Sequence, residues 1–209
     1  MHHFEYKANE LHCEDVPLKE IARKYGTPCY VYSRATLERH FRAFDDPFAD
    51  IEHLTCFSVK ASSNIALLNL FARMGGGFDI VSGGELHRVK KAGGDTKKVV
   101  FSGVGKAEWE IREALEADVL MFNIESEAEL FRIDKVCRAL DMKGRMAFRV
   151  NPEVDAKTHP YISTGMKEAK FGIDTRKAMQ LYRLSKKLEH VEPVGEDCHI
   201  GSQISQTSP

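Results

Sequence analysis

The sequence lacks the cysteine and histidine patterns of a disulfide scaffold or a zinc protein. It contains no C-x-x-C pair and no H-E-x-x-H motif, and its five cysteines are odd in number and scattered along the chain. They are Cys13, Cys29, Cys56, Cys137 and Cys198. This distribution argues against a disulfide framework and against a metal site, and it favours a reducing compartment.

Long apolar runs and an excess of one charge are also missing. No run is long enough to span a membrane, and the amino end lacks the basic-then-apolar pattern of a signal peptide. The formal net charge is −1, so no strong field favours nucleic acid or a membrane surface as a partner. What remains is the composition of a globular protein, 43% hydrophobic and 29% charged over 209 residues. We therefore expect a cytoplasmic protein whose core needs no disulfide.

From Leu54 onward, apolar patterns alternate between strand and helix. Predicted strands end near Lys60, Val81, Phe101, Phe122, Val150 and His199, and predicted helices lie near 65–74, 84–92, 106–117, 126–141 and 174–188. This alternation predicts βαβ units and a parallel sheet. Before Leu54 the signals are fewer: Pro17 opens a helix that Gly26 ends, 28–32 reads as a strand, and Ser33 caps a second helix.

The alternation fits either an open, doubly wound sheet or a closed barrel. Open nucleotide-binding sheets usually carry a glycine fingerprint after the first strand, and Lys60-Ala61-Ser62-Ser63 is not one. The barrel is therefore favoured. Since a (β/α)8 barrel needs eight strands, we expect an α/β chain truncated after about six barrel strands.

Two charged residues lie at predicted strand ends. Lys60 precedes a βα loop, where α/β enzymes place their chemistry and where burial makes an amine nucleophilic. The alternative is a lysine that simply places its charge in water. Arg149 lies within an otherwise apolar strand, so it needs a ligand or a carboxylate from a neighbouring strand, and both interpretations can hold together.

Two glycine-containing loops follow predicted strands. In the first, Gly83 and Gly84 would let a ligand approach backbone N–H groups, and Asp79 or Glu85 could hold a cation. The alternative is a tight βα connection in which Glu85 favours the helix dipole. The second loop, 102–106, is not a nucleotide-binding P-loop, because its flanking residues do not match that motif. The interpretation that stays open for this segment is a βα loop whose backbone faces the mouth of the barrel.

The last predicted strand leads into His199-Ile200-Gly201-Ser202. A histidine at this position could stack on a planar ligand while Ser202 and backbone amides meet a phosphate. The alternative is a satisfied core or surface histidine. The long segment 151–173 exceeds a routine connection, and long ordered loops on this face of a barrel tend to be functional.

From about Tyr30 to Gln203 the chain resembles the fold-type III, alanine-racemase-like pyridoxal-phosphate decarboxylases. The blocks that carry the resemblance occur in family order: Phe57-Ser58-Val59-Lys60-Ala61, Phe78-Asp79 through Glu85-Leu86, His159-Pro160-Tyr161-Ile162 with Thr164-Gly165, Lys170-Phe171-Gly172, and His199-Ile200-Gly201-Ser202-Gln203. One departure is Ser62, where the family commonly has asparagine.

The resemblance implies pyridoxal 5'-phosphate as the cofactor, bound covalently by Lys60. It also implies that His199 stacks on the ring and that Arg149 and Asp79 tune the surroundings of Lys60. Gly83, Gly84, Gly201 and Ser202 would lie near the phosphate, and Glu85 is a further candidate cofactor-binding residue. The HPYI, TG and KFG blocks favour meso-diaminopimelate as substrate, giving L-lysine and carbon dioxide, over ornithine or arginine.

The resemblance further implies a homodimer whose site is completed by parts that follow in the family: a glycine-rich phosphate loop, an acid for the pyridine nitrogen and a carboxy-terminal β domain. Residues 1–33 would belong with that β domain, and 34–209 would form the partial barrel. We thus expect the chain alone to be an inactive fragment. The alternatives are a decarboxylase acting on ornithine, arginine or carboxynorspermidine, and a non-catalytic homologue that binds the cofactor.

Overall fold

The structure, a computed structural model, describes residues 2–154, 171–202 and 204. These residues form two compact units, one up to Thr55 and one from Cys56 onward. This division lies later in the chain than the predicted boundary after residue 33, which stays a prediction.

The first unit begins with a small antiparallel sheet that the sequence did not reveal. Its strands are β1 (Phe4–Lys7), β2 (Glu10–Cys13) and β3 (Val16–Pro17), followed by α1 (Leu18–Tyr25), α2 (Arg34–Asp45) and a 3₁₀ turn (Asp46–Phe48). Both predicted helices are confirmed. Ser33 caps α2, because its hydroxyl oxygen accepts a hydrogen bond from the Thr36 N–H at 3.0 Å.

The strand predicted at 28–32 is wrong. The segment forms no ladder with any described strand, and Tyr30 is 93% exposed. Its aromatic and β-branched residues suit a strand, but those residues stabilise one only when a partner strand and a packed face are available.

The second unit contains the predicted βα units. Its strands are β4 (Cys56–Ser58), β5 (Gly77–Ile80), β6 (Val99–Phe101), β7 (Met121–Ile124), β8 (Gly144–Asn151), β9 (Ile173–Asp174) and β10 (Val191–Asp197). Its helices are α3 (Ile65–Arg73), α4 (Gly83–Lys91), α5 (Glu108–Glu116), α6 (Glu127–Leu140) and α7 (Thr175–Ser185), with short 3₁₀ turns at Val59–Ala61 and Thr96–Lys98. The six predicted strands and five predicted helices are therefore confirmed. Only the two-residue β9, which pairs with β8, was not predicted.

The sheet order identifies the architecture. The strands run β10-β8-β7-β6-β5-β4, and every neighbouring pair is parallel. Apart from the short β9, each strand therefore lies beside the strand that precedes it in the chain. A doubly wound sheet reverses direction at a switch point, and a barrel does not. The described part of the second unit is thus a partial barrel.

Apolar side chains fill the space between the sheet and its helices. The Phe101 and Phe122 rings lie 5.9 Å apart on β6 and β7, and Phe148 on β8 meets Tyr182 of α7 edge-on at 4.7 Å. Burying each aromatic side chain contributes about 1.5–3 kcal/mol. This core holds the strands rigidly, so their carboxyl ends form a fixed platform for polar side chains. No helix in the described ranges has the length and apolar character that a membrane span requires.

Candidate active site

A chain of hydrogen bonds connects four adjacent strands at the carboxyl edge of the sheet. Asp79 on β5 accepts from Ser58 on β4 at 3.1 Å and from Ser102, just past β6, at 2.6 Å. Asn123 on β7 donates its amide N–H to the Ser102 hydroxyl at 3.2 Å. The carboxyl ends of parallel strands meet at one edge, which is why residues 65 positions apart come together (123 minus 58).

A cavity of about 750 Å³ opens over this edge. Five of the predicted site residues line it: Lys60, Asp79, Arg149, His199 and Ser202. Its volume lies within the usual range of sites for cofactors and small molecules, about 300–1,000 Å³.

Lys60 follows β4 in the 3₁₀ turn Val59–Ala61, two residues after the strand ends at Ser58. The residue is exposed, so the described structure does not provide the desolvation that its position suggested. Its ammonium nonetheless acts on the cavity. It is one of the charges that lower the pKa of the neighbouring His199.

Arg149 forms the ion pair that its place in an apolar strand predicted. Its Nη1 lies 3.3 Å from the Glu125 carboxylate, its Nε lies 4.0 Å from Asp197, and its guanidinium lies 5.3 Å from the centre of the Phe171 ring. Glu125 also accepts from the Gly172 N–H at 3.2 Å. Sequence reasoning predicted a carboxylate partner without identifying Glu125 or Asp197, because nothing local in the sequence brings them to Arg149. It named Phe171 as part of a family block but did not place it against Arg149.

Burial controls protonation at the cavity wall. It lowers the pKa of His199, and the nearby cations Arg149 and Lys60 lower it further, so the imidazole is neutral near pH 7. Burial, with the Asp79 charge, raises the pKa of the Cys56 thiol to about 11. The cavity therefore presents a neutral imidazole and a protonated, unreactive thiol beside the Lys60 amine.

Gly83, Gly84 and Glu85 build the start of α4 and are not among the described residues that line the cavity. Glu85 accepts from the Val81 N–H at 2.8 Å, and the Gly83 N–H donates to Glu110 at 2.7 Å. Burial raises the pKa of Glu85. A Cβ on Gly83 would lie 2.7 Å from the Trp109 ring. These contacts favour the tight βα connection. Gly201 is likewise outside the lining set, although its neighbour Ser202 belongs to it.

Lys106 is a buried residue whose position sequence reasoning missed. Its Nζ donates to the Gly103 carbonyl at 2.7 Å, to the Asn123 carbonyl at 2.7 Å and to Glu129 Oε1 at 2.8 Å. The two charged side chains are 0% and 3% exposed. The sequence does show Glu129 in a capping box with Ser126, but that pattern indicates only a helix start.

The backbone conformation of the loop after β6 can be tested at Gly103. Its φ is +92°, and an added Cβ would lie 3.3 Å from Val81 Cβ. We expect Gly103→Ala to lower the free energy of unfolding by about 1–2 kcal/mol, because an L-residue is strained at this φ. The matched control is Gly105→Ala, which has nothing within 4 Å of its added Cβ and should change stability by less than about 0.5 kcal/mol. Equal urea midpoints for the two variants would contradict the prediction.

Some sequence-based expectations concern residues outside those the structure describes. They are the block His159–Ile162 with Thr164-Gly165, Lys170 of the next block, Gln203 of the last block, and most of the long segment 151–173. Within the described ranges there is no group of three or more histidine, cysteine or carboxylate side chains arranged to hold a metal ion.

Comparison with known proteins matches the second unit and part of the first to one family. Residues 34–209 match the pyridoxal-binding domain of the pyridoxal-dependent decarboxylases. The chain is 55% identical to the diaminopimelate decarboxylase of Vibrio cholerae and 52% identical to that of Haemophilus influenzae, with 100% of this chain and 50% of each relative covered. The chain thus spans about half the length of these curated relatives.

Solved structures give the same result for the fold. The diaminopimelate decarboxylase of Helicobacter pylori, complexed with L-lysine, is 41% identical and superposes with a TM-score of 0.88 over 92% of this chain and 49% of that one. The enzyme from M. jannaschii, also with L-lysine, is 37% identical and gives a TM-score of 0.87 over 97% of this chain and 49% of that one. The predicted alanine-racemase-like α/β barrel is confirmed. With the family match covering most of its length, the chain belongs to the pyridoxal-dependent decarboxylases.

Proposed function

We propose that the protein containing this chain decarboxylates meso-diaminopimelate to L-lysine and carbon dioxide with pyridoxal 5'-phosphate. The observation that carries the proposal is the cavity wall. It gathers an amine, a carboxylate, a guanidinium and a neutral imidazole, from Lys60, Asp79, Arg149 and His199, at the carboxyl edge of a partial barrel. Membership of the family supplies the cofactor class.

The residues present fit pyridoxal phosphate. The cavity offers a primary amine to a carbonyl carbon, and His199 offers a flat, uncharged ring to a planar heterocycle. Lys60 and Arg149 supply positive charge toward an anionic group, and Ser202 supplies a hydroxyl donor. We propose that Lys60 binds the cofactor covalently, and that Arg149, His199 and Ser202 hold and orient it. When bound, pyridoxal phosphate accepts the electron pair that departing carbon dioxide leaves behind.

The protein's own residues supply charge and orientation. Ser58 and Ser102 both donate to Asp79, so its two oxygens are fixed in place and its carboxylate is available to a cationic nitrogen at the wall. Glu125 holds Arg149 by an ion pair, which fixes the guanidinium without using all of its donors. The Lys60 amine lines the same cavity as these two side chains.

Two features support meso-diaminopimelate as the substrate. The relatives at 55% and 52% identity are named for its decarboxylation, and two solved relatives are complexed with L-lysine, the product of that reaction.

We also propose that the protein acts as a homodimer in the cytoplasm. In that setting Lys60 and Asp79 would each be one member of a site that other segments complete.

The test is carbon dioxide release by the purified full-length gene product, supplied with pyridoxal phosphate and with meso-diaminopimelate, L-ornithine or L-arginine. We expect release from meso-diaminopimelate to exceed release from the other two by at least about a hundredfold, because a site built for a second amino-acid group rejects substrates that leave its polar groups unpaired. Faster turnover of ornithine or arginine would overturn the substrate, and no turnover of any of the three would overturn the activity.

A further inference from the structure

The Lys106–Glu129 pair lies beneath the wall of the cavity and has no role in the function proposed above. A buried ammonium is costly unless each of its three donors finds an acceptor. Lys106 meets this requirement completely. It reaches the loop after β6 through the Gly103 carbonyl, the end of β7 through the Asn123 carbonyl and the first turn of α6 through Glu129.

We propose that Lys106 and Glu129 are positioning residues that set the shape of the cavity and hence its affinity for the cofactor. The proposal rests on the proposed function, since it concerns the ligand of that same site. It states that one buried ammonium holds two cavity-lining segments, the 102–105 loop and the end of β7, at a fixed separation.

The bonds of Lys106 lie next to the hydrogen bonds that hold Asp79. Gly103, whose carbonyl Lys106 holds, directly follows Ser102, whose hydroxyl donates to Asp79 at 2.6 Å. Asn123, whose carbonyl Lys106 also holds, donates its side-chain amide to that same hydroxyl at 3.2 Å. Loss of the ammonium therefore removes one hydrogen bond from each of the two backbone segments that place Ser102 against Asp79.

Glu129 completes the arrangement from the helix side. One of its oxygens accepts from Lys106 and the other accepts from the Glu125 N–H at 2.8 Å. Glu125 is the residue whose carboxylate holds Arg149. A single buried carboxylate thus connects the support of Asp79 with the support of Arg149, and both of these side chains line the cavity.

The experiment compares two variants of this pair with a matched control in the full-length gene product. Lys106→Met removes the ammonium and keeps the chain length. Glu129→Gln is the milder variant, because the amide can accept at only one of the two contacts. The control is Asp134→Asn on the same helix, whose side chain is 5% exposed and is paired with Arg138 at 2.7 Å. Asp134 is not among the described residues that line the cavity.

Two readouts separate positioning from simple stabilisation. The first is the dissociation constant of pyridoxal phosphate, measured by absorbance titration. We expect Lys106→Met and Glu129→Gln to raise it by about tenfold or more, and Asp134→Asn to change it by less than about twofold. The second is amide hydrogen exchange without cofactor, which should accelerate in peptides covering 102–106 and 123–129 before it accelerates elsewhere.

The possible outcomes distinguish a positioning role from a purely stabilising one. If the dissociation constants of all three variants rise in proportion to their loss of thermal stability, the pair only stabilises the core and the inference is wrong. If Lys106→Met does not fold, Glu129→Gln decides by the same two readouts. If the unmodified protein binds no pyridoxal phosphate, the proposed function fails, and local exchange around 102–106 still tests whether the pair holds the loop.

Discussion

Replacing Lys60 with alanine should lower carbon dioxide release from meso-diaminopimelate by on the order of a thousandfold or more, while leaving the protein folded. Removing the amine that forms the covalent bond eliminates the covalent pathway, which lowers the reaction rate far more than the loss of one hydrogen bond would. The structural cost should be small, because Lys60 is exposed and lies in a short 3₁₀ turn rather than in the core.

The measurement is borohydride reduction of the cofactor-loaded, full-length gene product, followed by peptide mapping, alongside the activity assay. We expect the cofactor mass on the peptide that contains Lys60, and on no peptide of the Lys60→Ala variant. The control is Lys177→Ala, since Lys177 is an exposed lysine paired with Glu127 and is not among the described residues of the cavity wall. Labelling of Lys106 in the unmodified protein would instead show that the buried pair opens, and would displace Lys60 from its role.

The sequence predicted the barrel well because its signals are local. Each βα unit repeats a short apolar strand, a turn and an amphipathic helix, and these periods are visible in one window of residues. The S-x-x-E pattern at Ser126 and Glu129 marked the start of α6, and the structure shows the Ser126 oxygen accepting from the Glu129 N–H at 3.2 Å. The strands of the first unit, of two to four residues, offered no such period.

The site was predictable only in part because its chemistry depends on contacts between distant residues. Lys60, Arg149 and His199 could be found from their places at strand ends. Nothing in the sequence near Lys106 shows that its side chain turns inward to meet a carboxylate 23 residues later in the chain (129 minus 106). Gly83 shows the opposite effect: its glycine turn suggested a ligand, whereas the space that a Cβ would occupy is taken by Trp109.

Arg149→Met should have the largest effect on stability of any variant at the cavity wall. We expect the free energy of unfolding to fall by about 3–5 kcal/mol at neutral pH, because the substitution leaves the buried Glu125 carboxylate without its cation. The Glu125 side chain is only 4% exposed, so its carboxylate depends mainly on protein partners such as the guanidinium for its stabilisation. The same variant should lose cofactor affinity, since Arg149 lines the cavity.

The loss of stability in Arg149→Met should depend on pH, and Asp197 determines the direction of that dependence. Burial raises the pKa of Asp197, and the positive charge of Arg149 opposes that rise. Without Arg149 the folded-state pKa of Asp197 should move further above its unfolded value. A carboxyl group whose pKa is higher in the folded state than in the unfolded state lowers the free energy of unfolding. This destabilisation is complete when the pH lies above the folded-state pKa, and it disappears as the pH falls below the unfolded-state pKa. The stability deficit of Arg149→Met should therefore be greatest near pH 7 and should narrow as the solution is acidified.

A double-mutant cycle separates the ion pair from simple packing. Glu125→Gln removes the charge that Arg149 neutralises, so the double variant with Arg149→Met should recover at least about 1–2 kcal/mol of the loss seen for Arg149→Met alone. Urea unfolding of the full-length gene product at pH 7 and at about pH 4, close to the unfolded-state pKa of an aspartate, gives all four corners of the cycle. Additive effects with equal deficits at both pH values would mean that the guanidinium acts through its packing on Phe171, at 5.3 Å from the ring centre, and not through its charge.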